Sequence, residues 1–164
     1  MVKWFPCIQQ PASSCESYIL GKHHRENIFL GVSYRAKAPL EIVHTDLCGP
    51  IQTPSLTGCV YFMTFIDDFS RKTWLYLLKQ KSEAFDVFKK FKSMVENESG
   101  RTIKILRSDR GGEYKLNEFI EFCDLHGIKR QFTARYTPQQ NGVVERKNWT
   151  IMDMARSMLK ENRL

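Results

Sequence analysis

The order of its regular segments constrains this chain more than any other feature. Three strand-like runs come first, with only turns between them. Residues 40–47 are stopped by Gly49-Pro50, residues 58–67 are rich in β-branched and aromatic side chains, and residues 72–78 follow the polar turn Asp67-Asp68-Phe69-Ser70. Such runs predict an antiparallel meander. The period then changes. Residues 82–98 place Ala84, Phe88, Phe91 and Val95 at helical spacing, with Ser82 as the expected cap and Gly100 as the stop. A short strand over 103–107 runs into Ser108-Asp109-Arg110-Gly111-Gly112. A second helix from Asn117 presents Phe119, Ile120 and Cys123 on one face and stops at Gly127, and a fifth strand covers 128–132. The polar stretch 133–142 reads as a mobile loop. The last helix runs from Val143 to about residue 162, with Val144, Ile151, Ala155 and Met158 as its apolar stripe. A meander followed by helix-crossed strands predicts an α/β fold, a mixed five-stranded sheet flanked by helices. Residues 1–39 show no sustained period and read as an irregular arm before a domain over 40–164.

With 164 residues, 42% of them hydrophobic, the chain can bury one substantial core. Its longest apolar runs, such as residues 60–66, are too short to span a membrane, and the expectation is a soluble intracellular protein. A net charge of +7 points to a polyanionic partner, nucleic acid before membrane surface. Five scattered cysteines argue against a disulfide framework.

Three carboxylates sit where such a fold can gather them. Asp46 ends the first strand, Asp109 follows the fourth, and Glu145 lies early in the last helix. If strands one and four are neighbours, Asp46 and Asp109 face each other beyond the strand ends, and Glu145 reaches in from the helix. Carboxylates so close repel unless cations neutralise them. Oxygen-only ligands suit Mg²⁺ or Mn²⁺ as a two-metal site for phosphodiester chemistry. Each residue also has a structural alternative: Asp46 and Asp109 as turn residues, Glu145 as a partner of the helix dipole. No nucleophile elbow and no phosphate-cradling glycine loop is present.

Thirty-five residues separate Asp109 from Glu145, and sixty-two separate Asp46 from Asp109. This spacing resembles the D,D(35)E pattern of retroviral and retrotransposon integrases. The flanking words resemble the copia-type (Pseudoviridae) branch: His44-Thr45-Asp46-Leu47-Cys48-Gly49-Pro50, Phe65-Ile66-Asp67-Asp68-Phe69-Ser70-Arg71-Lys72, Leu106-Arg107-Ser108-Asp109-Arg110-Gly111-Gly112-Glu113-Tyr114, and Tyr136-Thr137-Pro138-Gln139-Gln140-Asn141-Gly142-Val143-Val144-Glu145-Arg146-Lys147-Asn148. The resemblance covers the chain from about Leu40 to its end. It implies a ribonuclease-H-like fold, 3′-end processing of element DNA and strand transfer into target DNA. It also implies Asp46, Asp109 and Glu145 as catalytic metal ligands. Gln140, Asn141 and Gly142 fall in the loop that approaches the DNA end in such enzymes.

Two departures stand out. The zinc module usual upstream in this branch is broken: Cys15 is followed by Tyr18 where a second cysteine belongs. Cys7, Cys15, His23 and His24 fit no usual zinc spacing, so no zinc is expected and residues 1–39 read as the remnant of that module. Trp149 stands four residues after Glu145, where the family usually has arginine; tryptophan stacks on a base but cannot neutralise phosphate. Arg107 and Arg110 beside Asp109, and Arg146 and Lys147 beside Glu145, are the further candidate phosphate contacts. Asp67-Asp68 reads as a structural turn and His44 as a core histidine. Two other readings remain open: a non-catalytic nucleic-acid- or protein-binding relic of a decayed element, and a ribonuclease H. By analogy with integrases a homo-oligomer is expected, and the substrate implies nuclear location.

Overall fold

A computed structural model describes residues 34–133 and the backbone of 138–161, with side chains of 142–159 in that last stretch. These residues belong to one compact unit, Tyr34–Leu164. The strands are β1 (Ile42–Cys48), β2 (Tyr61–Asp67), β3 (Thr73–Leu78), β4 (Ile105–Ser108) and β5 (Lys129–Phe132). The helices are α1 (Ala84–Ser99), α2 (Asn117–Leu125) and α3 (Pro138–Glu161). The sheet order is β3-β2-β1-β4-β5, antiparallel through β3, β2 and β1, and parallel through β1, β4 and β5. The mixed five-stranded sheet expected from the segment order is therefore present.

The period-2 alternation of the strands divides the sheet into two faces. Val43, Met63, Phe65, Leu78 and Leu106 join Ala84, Phe88, Phe91 and Val95 of α1 and Phe119 and Cys123 of α2 in the main core. Phe65 stacks on Phe91 at 4.0 Å, and Phe88 on Phe119 at 5.0 Å. All four apolar positions read from the α1 period are buried. On the opposite face α3 packs across β1 and β2. There Val144 is buried, Ile151 and Ala155 are half-buried, and Met158 is exposed. The stripe thus emerges from the sheet along the last turns of α3.

Local boundaries shift for physical reasons. Ser82 does not start α1. A 3₁₀ turn over Lys81–Glu83 precedes the helix, and the Glu83 carboxylate accepts the backbone N–H groups of Lys79 (2.8 Å) and Gln80 (3.3 Å). The expected stops hold, because Gly100 and Gly127 adopt φ of +64° and +65°, which costs glycine no Cβ clash. The last helix begins at Pro138, not Val143, so Gln139 to Gly142 lie in helix rather than in the expected loop. Proline has no N–H to leave unpaired, and its fixed φ suits a first helical position. Residues 134–137 of that stretch lie outside the described residues.

The Asp67-Asp68 pair, read from the sequence as a structural turn, also acts as a clamp. Asp67 accepts the N–H of Leu40 (2.9 Å) and of Ser70 (2.9 Å). Asp68 accepts the N–H of Ala36 (2.8 Å), His44 Nε2 (3.1 Å) and Arg71 Nη1 (3.0 Å). The segment entering β1 is thereby tied to the β2–β3 turn. His44 is a core histidine with one ring nitrogen paired; its Nδ1 is buried without a partner.

Candidate active site at the ends of β1 and β4

The parallel register pairs Ile42 with Ile105, Val43 with Leu106 and His44 with Arg107. Continued two residues further, it sets Asp46 beside Asp109 on the face that α3 covers. The condition read from the sequence, that the first and fourth strands be neighbours, is met. Asp46 is half-buried in β1, and Asp109 is half-buried just past β4. Burial pushes the Asp46 carboxyl above its usual range, the Cys48 thiol offsets part of this, and the negative charge of Asp109 pushes it up again. Among the described residues, neither carboxylate has a basic partner within salt-bridge distance.

Asp109 also has the structural role considered for it. Its Oδ1 accepts the N–H of Gly111 at 3.0 Å, which starts the turn. A 3₁₀ turn over Gly112–Lys115 then inserts Tyr114 into the core, where its hydroxyl meets Thr45 Oγ1 at 3.2 Å. The loop bearing Asp109 is thus anchored to β1 next to Asp46.

Asn148 joins α3 to this site. Its Nδ2 donates to Asp46 Oδ2 at 2.8 Å and to Cys48 Sγ at 3.1 Å, while its Oδ1 accepts from Thr64 Oγ1 at 3.0 Å. The Cys48 thiol donates to Asp46 Oδ2 at 3.4 Å. Burial and the adjacent Asp46 charge push that thiol up to about 12, so it stays a neutral donor. Sequence reasoning misses Asn148. The signal that could have found it is a polar residue four positions after Val144, inside the stripe that faces the sheet.

Glu145 is exposed on α3, about one turn before Asn148. Among the described residues, no three His, Cys, Asp or Glu side chains gather closely enough to hold a metal ion. The structure brings Asp46 and Asp109 together and leaves Glu145 outside their pair. Glu145 is the eighth residue of α3, beyond the first turn where the helix dipole acts, so its dipole alternative loses its basis.

The candidate DNA contacts divide. Arg110, Arg146, Lys147 and Trp149 are exposed. Arg107 is half-buried and donates twice to Gln131 Oε1, at 3.3 and 3.0 Å, across the β4–β5 pairing. Gly142 is buried in α3. The side chains of Gln140 and Asn141, and all of Cys7, Cys15, His23 and His24, lie outside the described residues.

Residues 36–138 match the integrase core domain family. The chain belongs to that family. It is 49% identical over 150 residues to the retrovirus-related Pol polyprotein from transposon TNT 1-94 of Nicotiana tabacum, covering 92% of this chain and 11% of the relative. It is 37% identical to the Pol polyprotein from transposon RE2 of Arabidopsis thaliana, covering 89% of this chain and 10% of the relative. Against the truncated transposon Ty1-A Gag-Pol polyprotein of Saccharomyces cerevisiae the identity is 26%, over 97% of this chain and 14% of the relative. The chain spans about a tenth of these polyproteins. Its relatives mark it as a copia-type integrase core.

The fold is that of retroviral integrase cores, ribonuclease-H-like. A simian T-cell lymphotropic virus intasome, solved in complex with PP2A regulatory subunit B56 gamma, aligns with TM-score 0.64 at 21% identity, over 79% of this chain and 45% of that one. The HTLV-2 integrase catalytic core domain, solved with magnesium in a trimeric form, aligns with TM-score 0.56 at 20% identity, over 77% of this chain and 76% of that one.

Proposed function

We propose that this chain is a catalytic core that processes the 3′ ends of element DNA and joins them to target DNA. Asp46 and Asp109 hold Mg²⁺ or Mn²⁺, and Glu145 completes the ligand set from α3. The observation that carries the reading is the Asp46–Asp109 pair at the ends of adjacent parallel strands, without a basic partner among the described residues. Its all-oxygen donors fit a hard divalent cation. When bound, two such ions supply the activated oxygen and the stabilised leaving oxygen of phosphodiester exchange.

The protein's own residues do the positioning. Asn148 fixes one Asp46 oxygen and ties the helix bearing Glu145 to β1. The Asp109 turn and Tyr114 hold the second carboxylate against β1. Exposed Arg110 and Trp149 line the approach as a phosphate contact and a stacking surface. Integrase relatives solved as a trimer and as an intasome support a homo-oligomer that holds element-end and target DNA. A nuclear site of action belongs to the same proposal, since it follows only from a chromosomal target.

The test is Mg²⁺-dependent disintegration of a branched DNA substrate by this chain and by Glu145→Gln. Product is expected from the first and none from the second. Equal activity in the two would remove the catalytic assignment of Glu145, and no activity in either would favour a non-catalytic DNA-binding domain.

A further inference from the structure

A second feature on the α3 face of the sheet is not absorbed by the carboxylate site. Between the β2–β3 turn and α3 lies a groove of about 290 Å³. Its floor is Ile66 and Val143, and its walls carry Arg71, Arg146 and Lys147 with Thr73 and Thr150, whose hydroxyls donate to the backbone carbonyls of Arg71 (3.3 Å) and Arg146 (2.9 Å). Three cations line it and no carboxylate does. Arg71 Nη1 is pinned by Asp68 at 3.0 Å, which holds that guanidinium at one wall. Arg146 and Lys147, on the other wall, have no acidic partner among the described residues.

Helical geometry separates this groove from the carboxylates. At about 100° per residue, positions 143, 146, 147 and 150 share one flank of α3. Val144 and Asn148 face the sheet, and Glu145 with Trp149 stands on the other flank. The groove sits at the row where Ile66 pairs with His44 and Thr73, two residues back along the strands from the Asp46–Thr64 row.

We propose that this groove is a second phosphate site, which holds a backbone phosphate of duplex DNA on the flank of α3 away from Glu145. The chemistry selects a phosphodiester over an acidic peptide. The guanidinium held by Asp68, with the Arg146 and Lys147 cations across from it, matches the several oxygens of a tetrahedral phosphate. The apolar floor of Ile66 and Val143 suits the adjoining deoxyribose. A contact there is independent of sequence, as expected for DNA gripped along its backbone. The proposal deepens the integrase reading and rests on it. An enzyme that joins two DNA segments needs a grip outside the strand that is cut.

The test is fluorescence anisotropy with a labelled duplex of about 20 base pairs and arbitrary sequence, in EDTA, across about 50–200 mM salt. Lys147→Gln is expected to reduce the slope of log affinity against log salt by about 0.9. Thr73→Glu and Thr150→Glu place a carboxylate in the groove from opposite walls, and each is expected to weaken binding more than Lys147→Gln. Lys90→Gln, which removes one charge from the exposed face of α1, is expected to leave the slope unchanged. Circular dichroism checks that every variant is folded. An equal fall in Lys90→Gln, or no effect of the two glutamates in folded protein, would overturn the groove as a site. The integrase reading fails separately, through loss of Mg²⁺-dependent product from the unaltered chain, because binding in EDTA does not require the carboxylate site to act.

Discussion

Asp46→Asn should make the metal-free protein more stable while abolishing its chemistry. Asp46 in β1 and Asp109 just past the end of β4 lie beside each other by continuation of the parallel register, in which neighbouring strands are about 5 Å apart. Charges about 6 Å apart at an effective dielectric near 20 repel by about 3 kcal/mol. Against this, the hydrogen bond from Asn148 loses its charged acceptor, a change of about 1 kcal/mol. The net expectation is a gain of about 2 kcal/mol, or about 6 °C in Tm for a unit of this size. The sign of the pH dependence follows from the raised Asp46 carboxyl. The folded protein binds that proton more tightly than the unfolded chain, so wild-type stability falls as pH rises through the raised value. The advantage of the variant is therefore present at neutral pH and vanishes below the ordinary carboxylate range. Calorimetry in EDTA at pH 7.5 and at pH 3.5 reads both effects. Added Mg²⁺ is expected to raise the wild type more than the variant, because only the intact pair binds it well. A variant equal to or less stable than wild type in EDTA at pH 7.5 would refute the claim that the pair carries uncompensated charge.

Three other perturbations bear on the framework. Asn148→Ala removes a buried amide from Thr64, Asp46 and Cys48, and is expected to cost about 2–3 kcal/mol in urea unfolding and to lower strand-transfer activity in protein that remains folded. Phe91→Ala empties the centre of the aromatic core between Phe65 and Trp74, at an expected cost of about 3–5 kcal/mol by chemical denaturation. For Asp68, burial pushes the carboxyl up, but the Ala36 N–H, His44 and Arg71 outweigh it and hold it below the usual range. Asp68→Asn is expected to cost about 2 kcal/mol at pH 7. Its difference from wild type should shrink as pH falls through that lowered value, where the native carboxylate protonates; unfolding at pH 7 and pH 3 measures the change.

The parts of the fold that depend on local period are legible in the sequence. The α1 stripe is an example: its four apolar positions all reach the core. The parts that depend on strand order are not. Nothing in residues 40–47 or 103–107 says which strand each will lie beside, so the sequence makes the meeting of Asp46 with Asp109 conditional on that pairing. Asn148 shows the same limit from another side. Its place in the stripe of α3 is visible, but its partners lie 84 and 102 residues away in sequence. Arg107 reads as a DNA contact because it adjoins Asp109, yet the β4–β5 register puts Gln131 across from it and occupies its guanidinium. The start of α3 is hard to place because Gln139-Gln140-Asn141-Gly142 is polar and glycine-bearing. Pro138 at the first helical position outweighs that composition.

The central claim is that Asp46 and Asp109 share a divalent cation and that Glu145 joins them. Anomalous diffraction from crystals of the chain grown with Mn²⁺ tests it most directly. The expected result is a peak at the Asp46 and Asp109 carboxylates, with Glu145 turned toward the same site, and no such peak in Asp46→Asn. A protein that binds no Mn²⁺ at these carboxylates, or binds it only elsewhere on the chain, would contradict the account.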